Sequence, residues 1–319
     1  MAGVHSRLPV QAAETIRRAV IVVSMAALAA CSHSESTPSG RTFATPDEAV
    51  HQLSAAVAKG DVGEVVAIFG PGGQALIDTS DPETAQHNRE VFTIAVNQGW
   101  RFVDDVYGKT LIVGDEGWPF PVPLVQSAGR WRFDAEAGKE EVLVRRIGRN
   151  ELSAIQICRT YVAAQRLYAR HGHDGKRVGL YAQVFSSDTQ KHNGLYWPAG
   201  HGEPHSPLGQ LMTEAADERR TSTAAEKSGP APFHGYYFRI LAGQGASAAG
   251  GARSYLVDGE MSGGFALVAW PAHYDVTGIM TFVVNQDGIV HQKDLGSGTD
   301  VAVKNLSVYD PDASWTEVE

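Results

Sequence analysis

Residues 150–170 read NELSAIQICRTYVAAQRLYAR. Ala154, Ile157, Tyr161, Ala164 and Tyr168 recur on one helical face, and Gln156, Arg159, Ala163 and Arg166 fall opposite. Such a helix needs an apolar surface to cover, and the chain after it supplies one. Beyond a Gly- and His-rich loop at 171–179, a short helix near 207–219 and a polar link at 220–232, strands are predicted at 236–241, 253–257, 264–270, 278–284 and 289–293. Asn285-Gln286-Asp287-Gly288 between β-branched runs is a hairpin signal. Residues 150–319 therefore read as a long helix packed on an antiparallel meander.

The chain before this helix has its own signals. Thr45 suits an N-cap, Pro46 the first helical position and Glu48 a capping box, with Ala49, Leu53, Ala56 and Val57 at helical spacing and Gly60 as the stop. Helices are predicted at 62–69 and 82–98, then strands at 100–107, 109–113, 118–125 and 130–134. A charged run, AEAGKEEVLVRRIGR at 135–149, reads as a junction. Helices followed by antiparallel strands make the class α+β. The order in 43–149 resembles the nuclear-transport-factor-2-like fold, and 150–296 resembles the globular part of type II secretion pseudopilins, in fold only. There is no internal repeat.

Arg17-Arg18 precede an apolar run of 12 residues, 19–30, which ends in Leu28-Ala29-Ala30 before Cys31. That order is a secretory leader, too short to span a bilayer, which takes about 20 residues. Leu28 to Cys31 resembles the lipobox of bacterial lipoproteins, in which the cysteine is lipidated and becomes the new N-terminus. The resemblance implies an exported chain held by acyl groups at Cys31, and Ser32 after it favours the periplasmic face of the outer membrane. The twin-arginine pair fits its own export pattern poorly. The expected layout is leader 1–30, flexible Ser- and Pro-rich tether 31–42, then α+β domains at 43–149 and 150–319.

Lys plus Arg number 27 against 36 acids, and the leader holds three of the basic residues and one acid, so the chain from Cys31 carries a net charge of −11. Such a body repels phosphate backbones, and nucleic acid is not an expected partner. Cys31 and Cys158 are the two cysteines. With Cys31 acylated, Cys158 has no intrachain partner, so the fold must stand without a disulfide.

Several strings resemble one bacterial family, domain of unknown function 2950. They are WPFP (118–121), RWRFD (130–134), RRIGRNELSAIQ (145–156), GLYWP (194–198), SPLG (206–209), HGYYFRI (234–240), GGFALVAWP (263–271), FVVNQDGIVHQKDLG (282–296) and DPDASW (310–315). The resemblance implies an exported, envelope-associated protein. It brings no catalytic residues.

No nucleophile elbow, His-Glu-x-x-His helix, phosphate-binding glycine loop or dinucleotide fingerprint occurs, and no cofactor is expected. His171, His173 and Asp174 have the spacing of ligands but better suit a solvated loop that ends a helix, and no metal set is assigned. His192, His201 and His205 occupy another polar loop. His234 and His273 lie beside predicted strands and could serve as acid or base, with Asp275 or Asp294 as orienting carboxylate. Trp118 and Trp197, each before a proline, are the aromatic residues best placed for the surface. Cys158 reads as a small buried hydrophobe. The sequence favours a non-enzymatic binding or structural lipoprotein that meets an envelope protein or a cell-wall polymer. Its alternatives are a hydrolase or metal-dependent enzyme using His234 and His273, and an accessory of a pilus-like secretion assembly.

Overall fold

Thr45 does what its position suggests: its hydroxyl accepts the Glu48 N–H at 3.1 Å, and Glu48 reaches back to the Ala44 N–H at 2.8 Å. Helix α1 (Pro46–Lys59) follows and closes at Gly60, in the left-handed region. The computed structural model describes residues 40–77, 82–106, 108–198, 205–221 and 231–319. The leader, Cys31, most of the tether, His201 and most of the 220–232 link lie outside the described residues.

Helices α2 (Val62–Phe69), α3 (Gly73–Ile77) and α4 (Pro82–Gln98) lead into an antiparallel sheet of β1 (Trp100–Asp104), β2 (Lys109–Val113), β3 (Trp118–Pro119), β4 (Leu124–Ser127) and β5 (Arg130–Phe133). Its order is β1-β2-β4-β5, with β3 paired to β2. The strand predicted at 118–125 is broken because Pro119, Pro121 and Pro123 cannot donate to a ladder. Leu53, Ile68, Phe69, Leu111, Leu124 and Phe133 form the core between helices and sheet.

The charged run is no junction. Asp134 accepts the Ala137 N–H, and one helix, α5 (Ala135–Ala169), continues for 35 residues, about 52 Å at 1.5 Å per residue. Its charges pair along its own surface, Lys139 with Glu136 at 2.9 Å and Arg145 with Glu141 at 2.7 Å. Gly138 lets the helix pass close to Val122, since a Cβ there would lie 2.8 Å from a Val122 methyl. Ala135 belongs to the first core and Ala154 to the second, so the helix runs through both.

After α5 come α6 (Gly209–Thr221), β6 (Tyr236–Leu241), β7 (Gly243–Gln244), β8 (Arg253–Ser254), β9 (Leu256–Val257), β10 (Glu260–Met261), β11 (Ala266–Pro271), β12 (Met280–Asn285), β13 (Val290–Asp294), a 3-10 turn, α7 (Thr299–Asn305) and β14 (Thr316–Glu317). The main sheet has the order β14-β13-β12-β11-β6, with the predicted hairpin joining β12 to β13. Helix α5 covers β11, β12 and β13, and α7 packs on β11. Residues 266–269 are accordingly buried on both sides of the strand. The architecture is α+β with antiparallel sheets. Ala154, Ile157 and Tyr161 are buried, so this stripe of α5 presents no free face for a pilus-like neighbour. Among the described residues no helix is long and apolar enough to cross a membrane.

Candidate functional site

Helix α5 ends in a loop that its own backbone folds back. The His171 N–H donates to the Tyr168 carbonyl at 3.2 Å, Lys176 to His173 at 2.9 Å and Gly179 to Ala169 at 2.8 Å. The next segment is held by a buried glutamine. Gln165 donates to the Ala182 carbonyl at 2.8 Å and accepts the Ala182 N–H at 2.9 Å, as a neighbouring strand would. Residues 184–197 then double back on themselves, Leu195 bonding Val184 and Tyr196 bonding Phe185.

This folding brings the two histidine loops together. The His173 ring stacks on Tyr168 with centroids 4.0 Å apart, and lies 5.7 Å from Trp197. The His192 ring also lies against Trp197, with centroids 4.5 Å apart. Tyr168 donates its hydroxyl to the His192 carbonyl at 2.9 Å, and both carboxylate oxygens of Asp174 accept the His192 N–H, at 2.9 and 3.1 Å. A cleft of about 370 Å³ opens here, lined by His171, His173, His192, Trp197, His205 and Leu167 among others. A second, of about 260 Å³, lies across Tyr168 and His173 and reaches Lys176, Arg177, Tyr181, Val184 and Glu260.

The His173 Nε2 lies 3.0 Å from the Tyr168 carbonyl, so the neutral ring donates there and keeps Nδ1 as an acceptor. Burial, opposed by that hydrogen bond, holds the His173 pKa below the ordinary histidine value. Burial first, and the charge of Asp174 second, pushes the Tyr168 hydroxyl up to about 12. The site thus offers imidazoles, a guanidinium and hydrogen-bonding edges on a rigid aromatic floor. Among the described residues no three His, Cys, Asp or Glu side chains are placed to hold a metal ion.

The singled-out residues separate. Trp197 is 4% exposed, and its proline neighbour does not bring it to the surface. It forms the floor of the cleft. Trp118 is 47% exposed, with the Arg145 guanidinium 5.7 Å above its ring, and lies apart on β3. His234 and His273 are both exposed and extend the same end of the β6–β11 pair, beyond the Tyr236–Pro271 register. The His234 N–H donates to Glu218 at 3.0 Å, and its Nδ1 is 3.5 Å from that carboxylate. The His273 N–H bonds Thr277 at 2.9 Å. Asp294 accepts the Tyr274 hydroxyl at 3.3 Å. Neither histidine lines the two clefts. Cys158 is buried and free, its thiol pushed up to about 12 by burial. Arg177, Tyr181 and Glu260 carry no motif in the sequence; the glycines at 172, 175 and 179 are the sign there of a tight loop.

No curated protein and no solved structure matches the chain. The strings from WPFP to DPDASW, among them the GLYWP that sets the cleft floor, all fall inside one matched region. That region, residues 40–318, matches the family described as "Protein of unknown function (DUF2950)", and the chain belongs to it.

Proposed function

We propose that this chain is a lipid-anchored module of the bacterial envelope that binds, rather than transforms, an envelope protein or cell-wall polymer at the histidine cleft. One observation carries the reading. His171 and His173 on one loop, and His192 and His205 further along the chain, line one concavity with Trp197. Concave sites with a few convergent polar groups are where ligands bind. The leader and the Leu28-Ala29-Ala30-Cys31 sequence support export and acylation at Cys31, and Ser32 supports the outer membrane. Several acyl chains would hold the body at the membrane, since one alone binds only marginally.

Two measurements test the two halves. Cys31→Ser should abolish palmitate labelling and release the protein from the membrane fraction. Unchanged fractionation, with no label in the wild-type chain, would remove the anchor. For the cleft, His171→Ala with His205→Ala changes two exposed rings. The full chain should co-sediment with murein sacculi or cross-link to an envelope protein, and the double variant should lose that association. Retention at the wild-type level would place binding elsewhere.

A further inference from the structure

We propose that the smaller cleft is an oxyanion site, which takes a carboxylate or phosphate group between the Arg177 guanidinium and the His171 ring. The proposal rests on the reading that this region binds the ligand, and names the chemistry it would recognise.

The chain is acidic, with a net charge of −9. This cleft departs from that balance. Two cations, Lys176 and Arg177, line it together with the His171 and His173 rings. Two carboxylates line it as well: Glu260 faces Lys176 at 3.4 Å, and Asp174 keeps its charge while accepting the His192 N–H at 2.9 and 3.1 Å. Among the described residues, Arg177 makes no hydrogen bond, ion pair or ring contact, and the His171 ring makes no hydrogen bond or ion pair. The unmatched donors therefore share one concavity.

The buried side chains of Leu180 and Met261 form part of the wall, and Arg177 and His171 stand exposed where a solute can reach them. A guanidinium fork matches the two oxygens of a carboxylate or phosphate. The loop is also set in advance. Asp174 has φ 52° and Gly175 φ 76°, and a Cβ on Gly172 would lie 2.5 Å from the Lys176 carbonyl. The hydrogen bonds from Lys176 to His173 and from Gly179 to Ala169 hold it in this shape, which lessens what binding must order. The volume of about 260 Å³ admits an anionic end group with a few attached carbons, not a polymer segment.

The test is calorimetry on the full chain in a neutral detergent. Sodium sulfate stands for phosphate and sodium acetate for carboxylate, with chloride at equal ionic strength as baseline. At least one anion should bind saturably above chloride. Arg177→Gln should weaken it by about tenfold or more, His171→Gln by a smaller factor, and Arg149→Gln, an exposed arginine on α5, not at all. Preference for sulfate assigns a phosphate source, and preference for acetate a carboxylate. The proposal falls if neither anion saturates, if Arg177→Gln binds as the wild type, or if Arg149→Gln weakens binding equally. Should anion binding fail while His171→Ala with His205→Ala still loses its envelope association, the oxyanion assignment falls and the cleft stands.

Discussion

His173 is fastened to Tyr168 twice. Its ring lies on the phenol, 17° from parallel, and its Nε2 hydrogen-bonds the Tyr168 carbonyl at 3.0 Å. That carbonyl, in the last turn of α5, also accepts the His171 N–H at 3.2 Å, so the ring adds a second donor to it. One side chain therefore ties the helix end to its loop and lines both clefts.

Removing it should cost stability as well as shape. His173→Ala deletes a hydrogen bond worth about 1 kcal/mol and an aromatic contact worth about 0.5–1.5 kcal/mol. We expect a loss of about 1.5–2.5 kcal/mol, read from the urea midpoint by tryptophan fluorescence. A midpoint equal to that of the wild type would show that the stack contributes nothing.

The same residue gives a pH dependence of defined sign. Burial lowers the His173 pKa, and the nearby His192 and His171 lower it further. The folded state therefore favours the neutral ring. As pH falls through about 6.5, the unfolded chain takes the proton first. The stability contribution is whole above that value, declines toward the depressed folded pKa and levels off below it. Between about pH 7 and 5 the urea midpoint should fall more steeply for the wild type than for His173→Ala. Parallel profiles would contradict this.

What the sequence disclosed was local. Thr45, Pro46, Glu48 and Gly60 each act within one turn, and α1 has the bounds they imply. The run at 135–149 misled because charge density resembles a linker; here Glu141 and Arg145 are partners one turn apart, which favours the helix. Trp197 misled because Pro198 suggests an exposed turn. The direction of its ring is set instead by the pairing of Leu195 with Val184 and Tyr196 with Phe185. The meeting of His173 with His192 depends on Gln165 gripping Ala182, a contact between a helix and a loop that no periodicity announces.

The RRIGRNELSAIQ string has a structural reading that can be tested. Glu151 accepts the N–H groups of Ile279 and Met280, both at 2.9 Å, and Asn150 donates to the Thr277 carbonyl at 2.9 Å. Gly278 in that turn is pressed on Tyr236, so that a Cβ would fall 2.1 Å from the hydroxyl. The turn between β11 and β12 is thus pinned from both sides. Glu151→Ala leaves two partly buried donors unmatched and should cost about 2–3 kcal/mol, whereas Glu151→Gln keeps an acceptor and should cost about 1 kcal/mol. Equal losses in chemical denaturation would mean that Glu151 acts through bulk or charge rather than as an acceptor.

Cys158 offers a count of buried thiols against which the N-terminal cysteine can be judged. It is 0% exposed, and burial raises its thiol to about 12, with Arg159 opposing only in part. The thiolate is the reactive form, so Cys158 should resist alkylation near pH 8 in the folded chain. In Cys31→Ser, iodoacetamide should label nothing in the folded protein and one thiol in urea. In the wild-type chain the count in urea should also be one if Cys31 carries its acyl group, and two if its sulfur is free. Rapid labelling of folded Cys31→Ser would show that α5 opens at Cys158, and the helix could not then be the rigid spine on which both cores and the cleft depend.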